Sequence, residues 1–185
     1  MRVIERDMLL RKIEEWQEKA QHETDPFNRY VSAFTAYNIF YNLYEKTRNP
    51  SANLDRGDKF RAIKIIALLN ENELFQSLRD DLSEYVAFIP IYRDEYWHKG
   101  DAIPINRALE EGVEKEDKRR TMEMLLKWLY KVRCNLVHGE KNYNDENQKG
   151  LLKMSSSLLE KVLQNAVETY RQFYVLGEGR VLFDS

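Results

Sequence analysis

This sequence predicts an all-α fold, an up-and-down helical bundle of about five to six long helices, with an irregular connection before the helix that ends at His138. Two observations predict it. Apolar residues recur in steps of three and four along most of the chain, the repeat of a helix face. The breakers Pro26, Pro50, Pro90 and Pro104, with Gly57, Gly100, Gly112, Gly139, Gly150, Gly177 and Gly179, fall at or near the limits of those patterns and interrupt none. The 185 residues are 43% apolar, enough for one well-buried core, and no segment reads as a linker between two. Residues 1–185 are therefore expected to form a single domain.

The first helix is expected from Val3 to His22, with Ile4, Met8, Ile13, Trp16 and Ala20 on its apolar face. Thr24 or Asp25 can cap the second, with Pro26 near its first position. This second helix carries Phe27, Tyr30, Phe34, Tyr37, Tyr41 and Tyr44 in alternating steps of three and four. One face is thus almost wholly aromatic, and reads as core or as a contact between subunits. It stops near Thr47, before Asn49-Pro50. A third helix follows Asp58 and offers Phe60, Ile63 and Ala67. A fourth uses Leu74, Leu78, Leu82, Tyr85 and Ile89 and ends at Pro90. Residues 90–116 read as a long connection with one short helix from Asn106 to Glu111. The helix from Lys118 to His138 buries Met122, Leu125, Leu129, Val132 and Leu136. After a polar loop, Glu140 to Lys149, the last helix runs from Leu151 to Leu176 on the stripe Leu151, Ser155, Leu158, Val162, Ala166, Tyr170 and Phe173. Tyr174 to Phe183 reads as a small hairpin around Gly177-Glu178-Gly179, or as a tail.

Composition narrows the functional classes. A formal net charge of −2 supplies no global basic field, so any RNA contact has to come from a local patch. The single cysteine, Cys134, excludes an intrachain disulfide and a multi-cysteine zinc site. There is no paired-histidine spacing and no convergent acidic set with histidine, so neither a metal nor a cofactor is expected. A phosphate-cradling glycine loop and a nucleophile elbow are also missing. The first residues carry no apolar signal core, and no stretch approaches the roughly 20 apolar residues that span a bilayer. The expectation is a soluble cytoplasmic protein without a membrane partner.

One segment carries specific chemistry. Tyr130 to Lys141 reads Tyr-Lys-Val-Arg-Cys-Asn-Leu-Val-His-Gly-Glu-Lys, with Arg133 and His138 flanking Asn135 at the end of an amphipathic helix. Arginine can hold phosphate charge, and histidine can move a proton near neutral pH; together they suffice for RNA cleavage without a metal. At about 100° per residue, Arg120, Lys127, Lys131, Cys134 and His138 fall near one line, a basic track on the solvent side. Arg133 lies about 140° around from His138, so a straight helix does not converge the two. Three routes remain: a distorted last turn before Gly139, an arginine that reaches around, or convergence between two chains. Cleavage needs one proton removed from the 2′-hydroxyl and one given to the 5′-oxygen, and a twofold dimer brings a second His138 and Arg133 to one cleft.

Each of these residues also has an ordinary structural reading. His138 can cap carbonyls at a helix end, where Gly139 suits a left-handed C-cap. Arg133 can make a flank salt bridge, and Asn135 can be a solvent-facing or cap-related amide. Lys127, Lys131 and Lys141 can be simply solvated rather than touching RNA phosphate. Cys134 lacks a fixed base and an acid partner and is not read as a nucleophile.

Arg133-Cys134-Asn135-Leu136-Val137-His138-Gly139 resembles the signature of the HEPN superfamily, the higher eukaryotes and prokaryotes nucleotide-binding domains, in its bacterial RNase and toxin-like branch. That signature is an arginine, four to six residues, then a histidine at a helix end, often with asparagine inside and glycine after. Ala36-Tyr37-Asn38-Ile39-Phe40-Tyr41 is similar to an Ala-aromatic-Asn-x-x-Tyr segment on an early helix of some members. The resemblance implies an up-and-down bundle that dimerises. It implies a metal-independent endoribonuclease acting by 2′-hydroxyl transesterification, with Arg133 and His138 of both chains lining a shared cleft and Asn135 in support. It further implies a toxin or antiviral effector, with RNA as substrate and a nucleotidyltransferase-type antitoxin as partner. The residue after the arginine is commonly polar in the family and is Cys134 here; Asn135 takes that role. The alternative is a non-catalytic HEPN-like module that binds a nucleotide, RNA or a protein. Asn38 reads as a buried polar contact.

Overall fold

The structure, a computed structural model, describes residues 3–54, 57–96, 102–137 and 145–176, with backbone alone at 87–96, 102–104, 106 and 137. Among these residues there are seven α-helices, one 3₁₀ turn and no strand: α1 (Val3–His22), α2 (Pro26–Arg48), α3 (Asp58–Lys64), the 3₁₀ turn (Ile65–Leu68), α4 (Glu71–Tyr96), α5 (Ala102–Glu114), α6 (Lys118–Val137) and α7 (Glu146–Tyr174). The fold is the expected all-α bundle. No described helix is long and apolar enough to cross a membrane.

α2 is the central element, packed against both α1 and α7. Asp25 caps it, its carboxylate accepting from the Asn28 backbone N–H at 2.9 Å, and Pro26 opens the first turn. Tyr30, Phe34, Tyr37, Phe40, Tyr41 and Tyr44 are all buried. Their rings meet one another and α7: Tyr37 and Tyr41 edge to face at 5.4 Å, Phe40 on Tyr170 at 5.8 Å. Buried hydroxyls need partners, and two of these find backbone carbonyls outside α2. Tyr30 donates to the Leu129 carbonyl and Tyr37 to the Ala62 carbonyl, each at 2.5 Å. Ser155, a polar interruption in the stripe of α7, belongs to a buried chain. Trp128 of α6 donates to the Tyr85 hydroxyl of α4 at 2.5 Å, and Tyr85 meets Ser155 at 2.7 Å.

Several expected details are corrected. In α1 the inward residues are Leu10, Ile13 and Ala20, while Ile4 and Met8 are exposed. Met8 and Leu10 point about 200° apart on a helix, so both cannot face α2. In α3 and the 3₁₀ turn after it, Phe60 and Ala67 face outward and the inward positions include Arg61, Ala62, Ile65 and Ile66. Pro90 does not end α4. The helix continues to Tyr96, although a proline has no N–H to give to the helix. The described residues of 90–116 are therefore largely helical, not an irregular connection with one short helix. Pro104 stands in the first turn of α5, where no intrahelical N–H bond is needed. α7 starts at Glu146, not Leu151, because Asp145 caps it, accepting from the backbone N–H of Asn147 at 2.9 Å and Gln148 at 3.3 Å; Gly150 is tolerated inside. Of the segment read as a hairpin or tail, Tyr174 to Phe183, Tyr174 is the last residue of α7 and Val175 its C-cap, and the residues from 177 on lie outside the described residues.

Candidate functional site

Arg133 sits in the last two turns of α6, on the side facing α2. Its guanidinium lies 5.8 Å from the ring centre of Phe34 and 5.9 Å from that of Tyr130. Burial pulls its pKa down; a hydrogen bond with Cys134 and the fields of Tyr130, Cys134 and Asp58 push it up, and the net effect is upward. The side chain is therefore a fixed cation, half-buried on an aromatic bed, and not the simple flank salt bridge.

Beside it is a cleft of about 230 Å³ between α2 and α6, lined by Tyr30, Val31, Phe34, Thr35, Asn38, Ile39, Arg133 and Leu136. The two sequence motifs thus meet: Asn38 of α2 and Arg133 of α6 share one wall system. Asn38 is also part of a closed ring of hydrogen bonds. Its Nδ2 donates to the Tyr41 hydroxyl at 2.5 Å, and Tyr41 donates to Asp58 Oδ1 at 2.5 Å. Its Oδ1 accepts from Asn42 Nδ2 at 3.1 Å, and Asn42 Oδ1 accepts from Arg61 Nε at 2.8 Å. Arg61 closes the ring on Asp58 Oδ1 at 3.4 Å and also donates to the Leu54 carbonyl at 2.9 Å. Tyr130 hangs from this ring, donating to Asp58 Oδ2 at 3.0 Å. Burial first, then the Asp58 charge and hydrogen bond, push the Tyr130 phenol up to about 12. Burial and the Asp58 hydrogen bond push Tyr41 further in the same direction. Both phenols stay neutral donors at any ordinary pH.

The network explains the inward arginine of α3. Arg61 is only 6% exposed, yet its charge is met by Asp58, Asn42 and a carbonyl, so burial is tolerated. Asp58, Asn42, Arg61 and Tyr130 were not among the candidate site residues. A signal existed in the polar set Asn38, Tyr41 and Asn42, which recurs at three and four on an otherwise aromatic helix.

The other expected residues are placed differently. Asn135 is 5% exposed and does not line the cleft; it is a buried amide rather than a solvent-facing one. Lys127 pairs with Glu123 of its own helix at 2.5 Å, and neither Lys127 nor Lys131 lines the Arg133 cleft. Cys134 is a half-buried free thiol. His138 and Lys141 lie outside the described residues. Among the described residues, no group of three or more histidine, cysteine or acidic side chains is arranged to hold a metal ion. In comparisons with protein-family models, curated proteins and solved structures, nothing matches this chain.

Proposed function

We propose that this chain is a HEPN-like, metal-independent endoribonuclease that works as a homodimer. The observation that carries the reading is the Arg133-to-His138 spacing, on a helix that presents Arg133 as a fixed cation at an open cleft. In the reaction one His138 takes the proton of the RNA 2′-hydroxyl, and the oxygen attacks the adjacent phosphorus. The 5′-oxygen leaves with a proton from the partner's His138. Products carry a 2′,3′-cyclic phosphate and a 5′-hydroxyl. Arg133 stabilises the charge that builds on the phosphoryl oxygens. Asn135, three residues before His138, orients the imidazole. A toxin or antiviral role, restrained by a nucleotidyltransferase-type partner, follows from the same resemblance.

The test is cleavage of single-stranded RNA in the presence of a chelator. His138→Ala and Arg133→Ala are expected to abolish cutting while leaving the far-UV circular dichroism unchanged. Undiminished cutting by His138→Ala rejects its role. If wild type, free of any restraining partner, leaves RNA intact but binds it, the non-catalytic module is the better reading.

A further inference from the structure

We propose that the cleft between α2 and α6 is a nucleobase subsite, in which one RNA base enters beside Arg133 and the Asn38 amide reads its edge. The choice of RNA as the ligand rests on the nuclease reading; the shape and chemistry of the cleft do not.

Three features of the cleft converge on a base. Its walls are the aliphatic side chains Val31, Ile39 and Leu136, with the Phe34 ring beside them. A space of about 230 Å³ is below the usual range for a whole drug-sized ligand and fits a fragment such as one planar ring system. The guanidinium of Arg133 sits at this apolar space, so the complementary ligand couples a flat apolar part to a negative charge. A nucleotide has that composition, and unstacked RNA bases are commonly held against aromatic rings and guanidinium planes. A purely aliphatic occupant would cover the cation without answering its charge.

Asn38 adds a further feature. An asparagine amide can present its oxygen and nitrogen either way round, and a surface amide reads nothing until it is fixed. Here Asn42 donates to the oxygen and Tyr41 accepts from the nitrogen, so the hydrogen-bond ring through Asp58 and Arg61 sets the orientation. One N–H and one oxygen lone pair remain on an amide that lines the cleft. A donor beside an acceptor is the pattern with which asparagine pairs to a base edge. Thr35 adds a second polar position: its hydroxyl donates to the Val31 carbonyl at 2.7 Å, leaving the oxygen as an acceptor on the same wall.

The protein is titrated by calorimetry with the four ribonucleoside 3′-monophosphates and with ribose 5-phosphate, which has the phosphate and no base. At least one nucleotide is expected to bind about tenfold or more tighter than ribose phosphate, the scale of one base–aromatic stack. Val31→Trp, at a half-exposed wall position, is expected to erase that margin while keeping the affinity for ribose phosphate and the circular dichroism. Asn38→Leu is expected to narrow the spread among the four bases. If Val31→Trp fails to fold, Thr35→Trp on the same wall takes its place. Equal binding of all five ligands overturns the proposal, and so does a base preference that survives the filled cleft. A Val31→Trp protein that changes only its oligomeric state overturns it too, since the cleft then seats a second copy. Base preference without RNA cutting would sink the nuclease and keep the subsite; cutting without base preference would do the reverse.

Discussion

At the scale of single residues, Arg133 depends on a neighbour that makes no direct polar contact with it. The Tyr130 ring lies under the guanidinium, and Asp58 holds that ring in place through the hydroxyl. Tyr130→Phe keeps the ring and removes the tether. The lost hydrogen bond is expected to cost roughly 1 kcal/mol in chemical denaturation, at the low end for a carboxylate partner because the site is half-exposed. If Tyr130 positions Arg133, RNA cleavage falls further than stability does, and the fall is in kcat more than in KM. Unchanged kcat would leave Tyr130 a structural residue only. The motif pair was legible in the sequence because it is local: Arg133 and His138 are five residues apart in the chain, and Asn38 and Tyr41 stand on one turn. The ring that joins the second pair to Asp58 and Arg61 was not, because it is assembled from two helices, α2 and α3. Nothing in the apolar periodicity of α3 marks Arg61 as the inward residue; only its partners make burial affordable. Asn135 shows the same limit from the other side. Its position on the helix was readable, while its burial follows from what packs over that face.

At the scale of elements, the helices were legible where caps and apolar steps agree, as at Asp25-Pro26 in α2 and along α6. They were misread where a breaker was taken as a boundary. Pro90, Pro104, Gly112 and Gly150 all lie within helices, each for its own reason. Gly112 has the plainest one. α5 and α6 are joined by a short turn in which Glu116 takes φ 51° and the Asp117 N–H reaches back to the Gly112 carbonyl at 2.9 Å. α6 then crosses so close that a Cβ on Gly112 would stand 2.7 Å from Thr121 Oγ1 and 3.2 Å from its backbone nitrogen. Thr121 cannot easily yield, since its hydroxyl is bonded to the Asp117 carbonyl at 2.7 Å. Alanine would gain about 1 kcal/mol of helix propensity, but overpacking against backbone costs about 1–3 kcal/mol. Gly112→Ala is therefore expected to lower stability, and a raised melting temperature would contradict the close crossing. The Trp128–Tyr85–Ser155 chain gives a graded prediction. Tyr85→Phe removes two buried hydrogen bonds and is expected to cost roughly 2–4 kcal/mol, whereas Ser155→Ala leaves Tyr85 still accepting from Trp128 and costs less. Urea unfolding of the two variants, compared side by side, decides the order.

At the scale of the whole molecule, the aromatic core makes stability sensitive to alkali. Burial raises the pKa of Tyr30, Tyr37 and Tyr85 well above the ordinary phenol value, each with its hydroxyl engaged inside the protein. A phenol whose folded pKa is raised keeps its proton in the native state when the unfolded chain has lost it. Below the unfolded value, about pH 10, the two states bind equal protons and nothing is lost. Above it the unfolded state binds fewer, so stability falls as pH rises towards the folded values, and the losses from several tyrosines add. Their hydroxyls tie α2 to α6 and α3, and α4 to α7, so no single helix can release one alone. The buried set is therefore expected to ionise together, in one cooperative step that coincides with loss of helical circular dichroism. A titration that follows tyrosinate absorbance and ellipticity on the same sample reads both. If the buried tyrosines ionised smoothly with the helices intact, the hydroxyls would have to reach water in the native state, and the tightly bonded core described for α2 would be wrong.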